Sequence, residues 1–351
     1  MRKRAAWATM AGMDWEIHGH AWAADMLRRH IANDKLRHAY LFSGPDGVGR
    51  RTLALRFAQA VNCENAPEPG VACGECRTCH QIDRMQHADL VVVQGEQAGE
   101  LKVEQVRELQ HFVALAPYAS RYRVALLLNF EQANESAQNA LLKTLEEPNP
   151  NVLLLVTVDD AENLLPTITS RCELMRLRPI PVKALSEKLS EKYSVDTTRA
   201  DLYAHLAGGR VGYAVSLAQD EELIEQRHGW MADLRQLLSS DKNGRISYSR
   251  KHTHKRYVPE RSEAKKQLDD ALHFWLSFWR DVLLIASGSQ TEITNIDMQA
   301  AVQETAQSVS AAQAEHVVRE IERSFARLWH ANLQLMLDNL LLSWPTLSKE
   351  I

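Results

Sequence analysis

Four of the chain's five cysteines lie close together and offer the chemistry of a metal site. Four thiolates at this spacing suit the tetrahedral all-cysteine shell of structural zinc, and the chain is too large for a secreted disulfide scaffold. A redox Cys-x-x-Cys pair is the alternative, but it leaves two cysteines unexplained. A closed shell leaves no position for water, so the zinc we expect is structural. The predicted ligands of this cysteine module (residues 63–79) are Cys63, Cys73, Cys76 and Cys79.

A glycine-rich turn follows an apolar run and is similar to a phosphate-binding loop. A strand, such a turn and a helix form the context in which backbone N–H groups cradle phosphates. The lysine of a functional loop and the hydroxyl residue after it are replaced by two arginines. A planar arginine is not a conservative replacement for the compact lysine charge, and the second arginine offers no magnesium ligand. We therefore predict a degenerate loop that does not bind ATP, with residual nucleotide binding as the alternative. The residues of this glycine turn are Gly44, Gly47, Gly49, Arg50, Arg51 and Thr52.

A second part of a nucleotide site is altered as well. In P-loop ATPases a strand ends in acidic residues that hold magnesium. Here the corresponding run ends in Leu128 and Asn129, and the nearest carboxylate, Glu131, lies beyond the expected end of the strand. Because both parts are defective, we predict that the chain has no ATPase activity of its own.

The elements that must position these residues are buried strands. Continuous rather than alternating apolar runs indicate strands covered on both faces, as in a parallel sheet between helices. Amphipathic helical stretches separate the runs, which together predict an α/β domain reaching residue 178. The predicted strands are Ala39–Ser43, Leu90–Gln94, Val124–Asn129, Val152–Val158 and Glu173–Arg178.

Pro179 and Pro181 mark a domain boundary, after which the strand signal disappears. We predict a small helical domain at 179–244 and an all-helical domain at 245–351. The stretch 241–266 carries nine Lys or Arg against three Asp or Glu, a net charge of +6. Such a run predicts a solvated linker, and contact with DNA phosphates is the alternative.

The composition is that of an ordinary globular protein of several domains, with 351 residues and 45% hydrophobic residues. No apolar run reaches the ~18 residues of a membrane span, so no membrane contact is expected. The net charge of −4 excludes a domain basic throughout, so any DNA contact is local or shared with partner subunits. Residues 1–13 imitate a signal peptide, but we interpret them as a start-site extension of a cytoplasmic chain, where thiolates stay reduced.

Several motifs in unbroken order over residues 14–178 resemble the bacterial clamp-loader family of AAA+ proteins. The resemblance implies an AAA+ P-loop-type domain with an inserted zinc module, followed by a small helical lid domain and a C-terminal all-helical collar domain. The motifs are the cysteine module with His38–Gly44, Lys102–Arg107, Asn139–Pro148 and Ser170–Cys172.

Within that family, the resemblance implies a stator-like subunit without ATPase activity. The tau/gamma ATPase subunits carry an arginine where this chain has Gly212, whereas the Ser-Arg-Cys motif is intact. Arg171 is then an arginine finger that reaches the ATP site of a neighbouring tau/gamma subunit, and Ser170 orients its turn. The implied partners are tau/gamma and delta subunits and, through the complex, the sliding clamp and primed DNA. The implied function is clamp loading during replication.

Three alternatives remain open from the sequence. The chain could be an active tau/gamma-like ATPase in which Arg50 or Arg51 replaces the lysine. It could instead be a free-standing zinc-containing protein that binds nucleic acid. Arg171 could also be an ordinary arginine paired with surface acids.

Overall fold

The computed structural model describes residues 15, 17–95, 101–253, 261–328 and 331–346, with the side chains of 261–263 and 326 not described. The chain divides into two compact units. The first comprises Met1–Ile180 with Arg210–Gly212, and the second comprises Pro181–Gly209 with Tyr213–Ile351. The predicted start-site extension lies outside the described residues. The finer division at residues 244 and 245 stays a prediction.

The first unit is built on a five-stranded parallel sheet in the order β2-β3-β4-β1-β5. Alternate residues of β1 face two separate apolar cores: Tyr40 and Phe42 pack in one, and Leu41 packs in the other. The prediction of strands buried on both faces is therefore confirmed for β1, β3 and β4, which are buried along their whole length, whereas the edge strands β2 and β5 are partly exposed. The strands are β1 Ala39–Ser43, β2 Leu90–Val93, β3 Arg123–Leu127, β4 Val152–Val158 and β5 Glu173–Arg176.

The helices of the first unit cover both faces of this sheet. The core that contains Tyr40 includes Phe57 of α2, and the core that contains Leu41 includes Leu109 of α4 and Leu141 of α5. These helices are α1 Ala21–Ala32, α2 Arg50–Asn62, α3 Arg77–Asp83, α4 Val103–Val113, α5 Glu135–Glu146 and the short α6 Pro166–Thr169.

In the second unit, the described residues form helices and no strands. The aromatic side chains at 274–279 are buried, with Trp275, Phe278 and Trp279 fully covered. Among the described residues, no helix combines the length and apolar character needed to cross a membrane. The helices are α7 Val182–Tyr193, α8 Thr197–Ala207, α9 Val211–Gln219, which begins in the first unit, α10 Glu221–Ser239, α11 Lys242–Thr253, α12 Arg261–Ala286, α13 Gln299–Ser308, α14 Ala311–Leu328 and α15 Leu333–Ser343.

The prediction of a solvated linker at 241–266 is wrong over Lys242–Thr253, which forms α11. Arg245 of this helix is 1% exposed and donates hydrogen bonds to the carbonyl groups of Leu237, Leu341, Trp344 and Pro345. A guanidinium suits this place because the last carbonyl groups of α10 and α15 have no partners within their own helices. The charge count concealed this role, since one of the nine basic residues is a core residue. Residues 254–260 lie outside the described part.

Candidate functional site

The glycine turn lies between β1 and α2, the place that a phosphate-binding loop takes between a strand and a helix. Gly49 has a φ of 108° at the start of α2, a conformation that favours glycine. A Cβ atom on Gly44 would lie 2.3 Å from the carbonyl oxygen of Leu177, so no larger residue fits there. The need for glycine at both positions arises from the backbone of this protein and not from a ligand. The turn is therefore needed to join β1 to α2, whether or not a phosphate is bound.

Arg50, which stands in place of the P-loop lysine, points into the protein. Its side chain is 4% exposed, and its Nη2 atom lies 2.7 Å from a carboxylate oxygen of Asp159 and 3.5 Å from one of Asp46. Nη2 also donates a hydrogen bond of 3.3 Å to the side chain of Asn129. Nη1 is buried and has no hydrogen-bond partner in the described part of the chain. The positive charge at this position is thus paired with Asp159 and Asp46 of the same chain and is not directed at a phosphate.

Arg51 and Thr52, the other predicted site residues of the glycine turn, are exposed. Nη2 of Arg51 contacts the sulfur of Met85 at 3.3 Å. Neither residue contacts the groups around Arg50 among the hydrogen bonds and ion pairs of the described residues.

The end of β3 carries no acidic pair. Leu128 is buried and apolar, and the backbone N–H of Asn129 donates to the hydroxyl of Thr157 at 2.9 Å. Glu131 follows in a 3₁₀ turn, and its carboxylate accepts a 3.4 Å hydrogen bond from the backbone N–H of Asp159. Burial raises the pKa of Glu131, and the negative charge of Asp159 raises it further. The carboxylates that remain near the glycine turn therefore belong to the same cluster as Arg50.

Gly212, the position at which the resemblance implies an arginine in the ATPase subunits, contacts the glycine turn directly. Its N–H donates to the carbonyl oxygen of Gly47 at 2.7 Å, and a Cβ atom on Gly212 would lie 2.9 Å from that oxygen. An arginine here would require the turn to move. The sequence pattern identified the missing arginine but carried no signal for this backbone contact.

The four predicted zinc ligands converge. Their Sγ atoms all lie within 4.8 Å of one another, with 3.4 Å between Cys63 and Cys73 and 4.0 Å between Cys73 and Cys79. Tetrahedral zinc with Zn–S bonds of ~2.3 Å places its sulfurs about 3.8 Å apart, so the donor set fits this ion. The backbone N–H groups of Cys73, Cys76 and Cys79 each donate to the sulfur of the preceding ligand in the chain. The arrangement is consistent with a structural zinc.

Helix α2 connects this cysteine module to the rest of the first unit. It ends at Asn62, directly before Cys63, and the side chain of its buried Gln59 donates to the carbonyl oxygen of Cys79 at 2.8 Å. Burial alone raises the pKa of Cys73, but hydrogen bonds from the backbone N–H groups of Cys76 and Glu75 outweigh it and lower that pKa to about 7. These donors favour a thiolate, the form that binds a metal.

Arg171 lies in the turn after α6, between β4 and β5. Its Nη2 atom is 2.8 Å from a carboxylate oxygen of Glu146, and its Nη1 atom donates to the carbonyl oxygen of Thr167 at 2.8 Å. Ser170 donates its hydroxyl to the same carbonyl at 3.2 Å. The arginine side chain is 35% exposed. In the single chain Arg171 is thus paired with a surface acid, and sequence reasoning missed Glu146 although it stands in the Asn139–Pro148 motif.

Comparison with known proteins identifies relatives over both units. The family described as "DNA polymerase III, delta subunit" matches residues 19–181, and its C-terminal family matches residues 259–346. The delta-prime subunit of Bacillus subtilis is 29% identical over 90% of this chain and 93% of its own length. That of Pseudomonas aeruginosa is 41% identical over 42% of this chain and 45% of its own length. The Escherichia coli tau subunit is 33% identical over 58% of this chain, but only 32% of its own length is covered.

The parallel sheet with the glycine turn after β1, followed by a helical second unit, is an AAA+-like architecture. The chain belongs to the DNA polymerase III clamp-loader family, and its near full-length match among the relatives is to a delta-prime subunit. A solved gamma-subunit-related structure from Thermotoga maritima is 18% identical and covers 91% of this chain and 97% of its own. The TM-score of this match is 0.42.

Proposed function

We propose that this chain acts as a delta-prime subunit that does not hydrolyse ATP and that completes the ATP site of a neighbouring tau/gamma subunit. The observation that supports the absence of ATP hydrolysis is the ion pair between Arg50 and Asp159. Hydrolysis needs a cation directed at the β- and γ-phosphates and a carboxylate that holds magnesium. In this chain the cation is buried against its own acid, and Leu128 occupies the end of β3.

The residue proposed to complete the ATP site of the neighbouring tau/gamma subunit is Arg171. An arginine finger needs guanidinium N–H groups that can reach charge developing on a neighbour's phosphate. Arg171 uses two nitrogens in contacts with Glu146 and Thr167, and its side chain remains partly exposed. A guanidinium has five N–H donors, so further donors remain for a phosphate. This supports a role in trans, and the intact Ser-Arg-Cys motif supports it independently.

Zinc is proposed as a structural component, held by Cys63, Cys73, Cys76 and Cys79. Bound there, it would cross-link the segment between α2 and α3 and stabilise the fold, with no open position for catalysis. The chain's own contribution is to aim its backbone N–H groups at the sulfurs, which favours thiolates. Such a thiolate site suits the cytoplasm, where we place the protein.

In the assembled DNA polymerase III holoenzyme, this chain is proposed as a non-catalytic stator. Its direct partners would be the tau/gamma and delta subunits, and the complex would bring it to the sliding clamp and primed DNA. The covered lengths support this assignment, since the chain spans 93% of a delta-prime relative but only about a third of the tau relatives.

Reconstitution with tau/gamma and delta subunits tests the proposal. We expect Arg171→Ala to leave assembly intact, as judged by gel filtration, and to lower DNA-stimulated ATP hydrolysis. A lost finger costs ~10³-fold or more at one site, but the other ATP sites of the complex keep hydrolysing, so the expected overall loss is partial. Arg178→Ala is the matched control, because Arg178 is also an exposed arginine near β5.

Two results would contradict the proposal. Unchanged ATP hydrolysis in Arg171→Ala would remove the finger role. Failure of the intact chain to form a stable complex with tau/gamma and delta would favour the free-standing protein instead.

A further inference from the structure

The last residue of α5 meets the proposed finger. Glu146 ends that helix and lies 2.8 Å from Nη2 of Arg171. Sequence patterns give no indication of this pair, because the two residues stand in different motifs on opposite sides of β4.

The segment that carries Arg171 is held to α5 at two points. The backbone N–H of Leu165, just before α6, donates to the side-chain oxygen of Gln138 on α5 at 3.0 Å. Glu146 lies eight residues after Gln138, about two turns along the helix, and so on a similar face. Thr167, whose carbonyl accepts from Arg171, lies in α6 itself. Helix α5 therefore contacts both the backbone of this segment and the guanidinium group of Arg171.

We propose that Glu146 is a positioning residue for Arg171, an inference that rests on the proposed role of Arg171 as a finger in trans. Glu146 and the carbonyl of Thr167 each engage one terminal nitrogen of the guanidinium. Two contacts on a planar group restrict its orientation, while the remaining N–H donors stay available to a phosphate. Glu146 thus holds the arginine in a conformation ready for the neighbour's ATP and does not itself touch the nucleotide.

The exposure of the pair favours positioning over sequestration. Glu146 is 52% exposed and Arg171 is 35% exposed, so water screens their attraction. An exposed ion pair of this kind biases conformations by about two- to fivefold. That bias is too small to keep the guanidinium from a triphosphate, but it reduces the number of orientations the side chain samples before engagement.

The test uses the full chain reconstituted with tau/gamma and delta subunits and measures DNA-stimulated ATP hydrolysis. We expect Glu146→Ala to lower turnover about two- to fivefold at the one ATP site that Arg171 completes, with KM for ATP unchanged, since the finger acts in the transition state. In the whole complex this appears as a partial loss of hydrolysis that is smaller than the loss in Arg171→Ala. Glu146→Gln keeps an acceptor oxygen and should restore most of the activity. Glu147→Ala is the matched control, because Glu147 is the adjacent exposed glutamate and should behave like the unmodified chain.

Further variants separate this inference from the proposed function. In an Arg171→Ala background, Glu146→Ala should cause no additional loss. If Arg171→Ala lowers hydrolysis and Glu146→Ala does not, Glu146 has no positioning role and the finger stands. If Arg171→Ala has no effect, the finger role fails and this inference fails with it. Faster hydrolysis in Glu146→Ala, an equal loss in Glu146→Gln, or an equal loss in Glu147→Ala would also overturn the inference.

Discussion

Helix α2 has a candidate functional site at each end, and the two sites differ in whether the side chains needed for their chemistry are present. At its start, the glycine turn lies between a strand and a helix, as a phosphate-binding loop does, but Arg50 is paired with Asp159. At its end, Cys63 begins a module whose four sulfurs converge within 4.8 Å. The glycine turn thus lacks the lysine and the acidic residues of a nucleotide site, whereas the cysteine module has all four thiol ligands of a zinc site.

The difference shows which features are evidence for function. A glycine turn between a strand and a helix has a second use, because the approach of the Leu177 carbonyl to Gly44 demands it even without a phosphate. Four converging cysteines have no such second use, because two of them are only partly buried and packing of the apolar core does not require four sulfurs to meet. Retained side-chain chemistry is therefore stronger evidence than retained backbone shape. The predictions below test this contrast between the two ends of α2.

The largest effect is expected at the cysteine module. Cys79 is fully buried, and Cys79→Ser should lower zinc content and destabilise the first unit by several kcal/mol, less than the ~10–16 kcal/mol of isolated zinc-finger peptides because α2 and the sheet already support the module. Metal analysis and urea unfolding measure both effects. Cys172→Ser, outside the cluster, should keep the zinc. A stoichiometry well below one zinc per unmodified chain would contradict the zinc site, and the two ends of α2 would then no longer differ in function.

A smaller loss of stability is expected at the start of α2. Arg50→Met removes the contacts to Asp159 and Asn129 and should cost about 1–2 kcal/mol, because Asp159 is half exposed and water can replace its partner. The neighbouring Arg51→Met is the control and should change stability by less than about 0.5 kcal/mol, since Arg51 is exposed. Urea unfolding compares the pair. Equal effects would show that Arg50 is no more integrated into the fold than a surface arginine.

The connection between α2 and the cysteine module should contribute about 1–3 kcal/mol, the cost of leaving a buried carbonyl without its donor. Gln59→Leu removes the donor to the carbonyl of Cys79 and the acceptor of Arg56, and it should lower the midpoint of unfolding while zinc content stays at its original level. The exposed Gln86→Leu serves as the control. Loss of zinc in Gln59→Leu would mean that the module depends on α2 for its geometry as well as its stability.

The smallest expected effect is no effect at all. Magnesium ATP should leave the Tm of the isolated chain unchanged, because Arg50 is already paired and Gly212 lies against the turn. Binding at a hundredfold excess over Kd would add about 2.7 kcal/mol, which a thermal scan detects readily. A tau/gamma subunit provides the positive control. A Tm that rises with ATP concentration would mean that the glycine turn has kept more than its shape.

Most of the first unit could be predicted from the sequence because its signals are local. Runs such as Val152–Val158 are apolar throughout, and burial on both faces of a parallel sheet requires that pattern. The cysteine module was predictable for the same reason, since its ligands lie within one short segment. The interpretation of 241–266 was wrong because composition averages over residues and cannot show that Arg245 faces helix ends rather than water.

The partners of the site residues could not be predicted, because they depend on which strand ends and helices become neighbours. Asn129 lies 79 residues from Arg50 in the chain, and no pattern around either residue points to the other. The contact of Gly212 with the glycine turn also joins distant segments through backbone atoms, which residue types do not reveal. Residue types showed what was missing from the nucleotide site, and only the tertiary structure shows what replaced it.

The buried guanidinium of Arg245 links α11 to residues that are synthesised about a hundred positions later. Since a chain leaves the ribosome from its N-terminal end, α11 is made long before the carbonyl groups of Leu341, Trp344 and Pro345 exist. Until α15 arrives, a positive charge that belongs in the interior has only part of its acceptors. The second unit therefore reaches its final packing late in synthesis, and a product that stops short of α15 carries an exposed defect that proteases and chaperones can recognise.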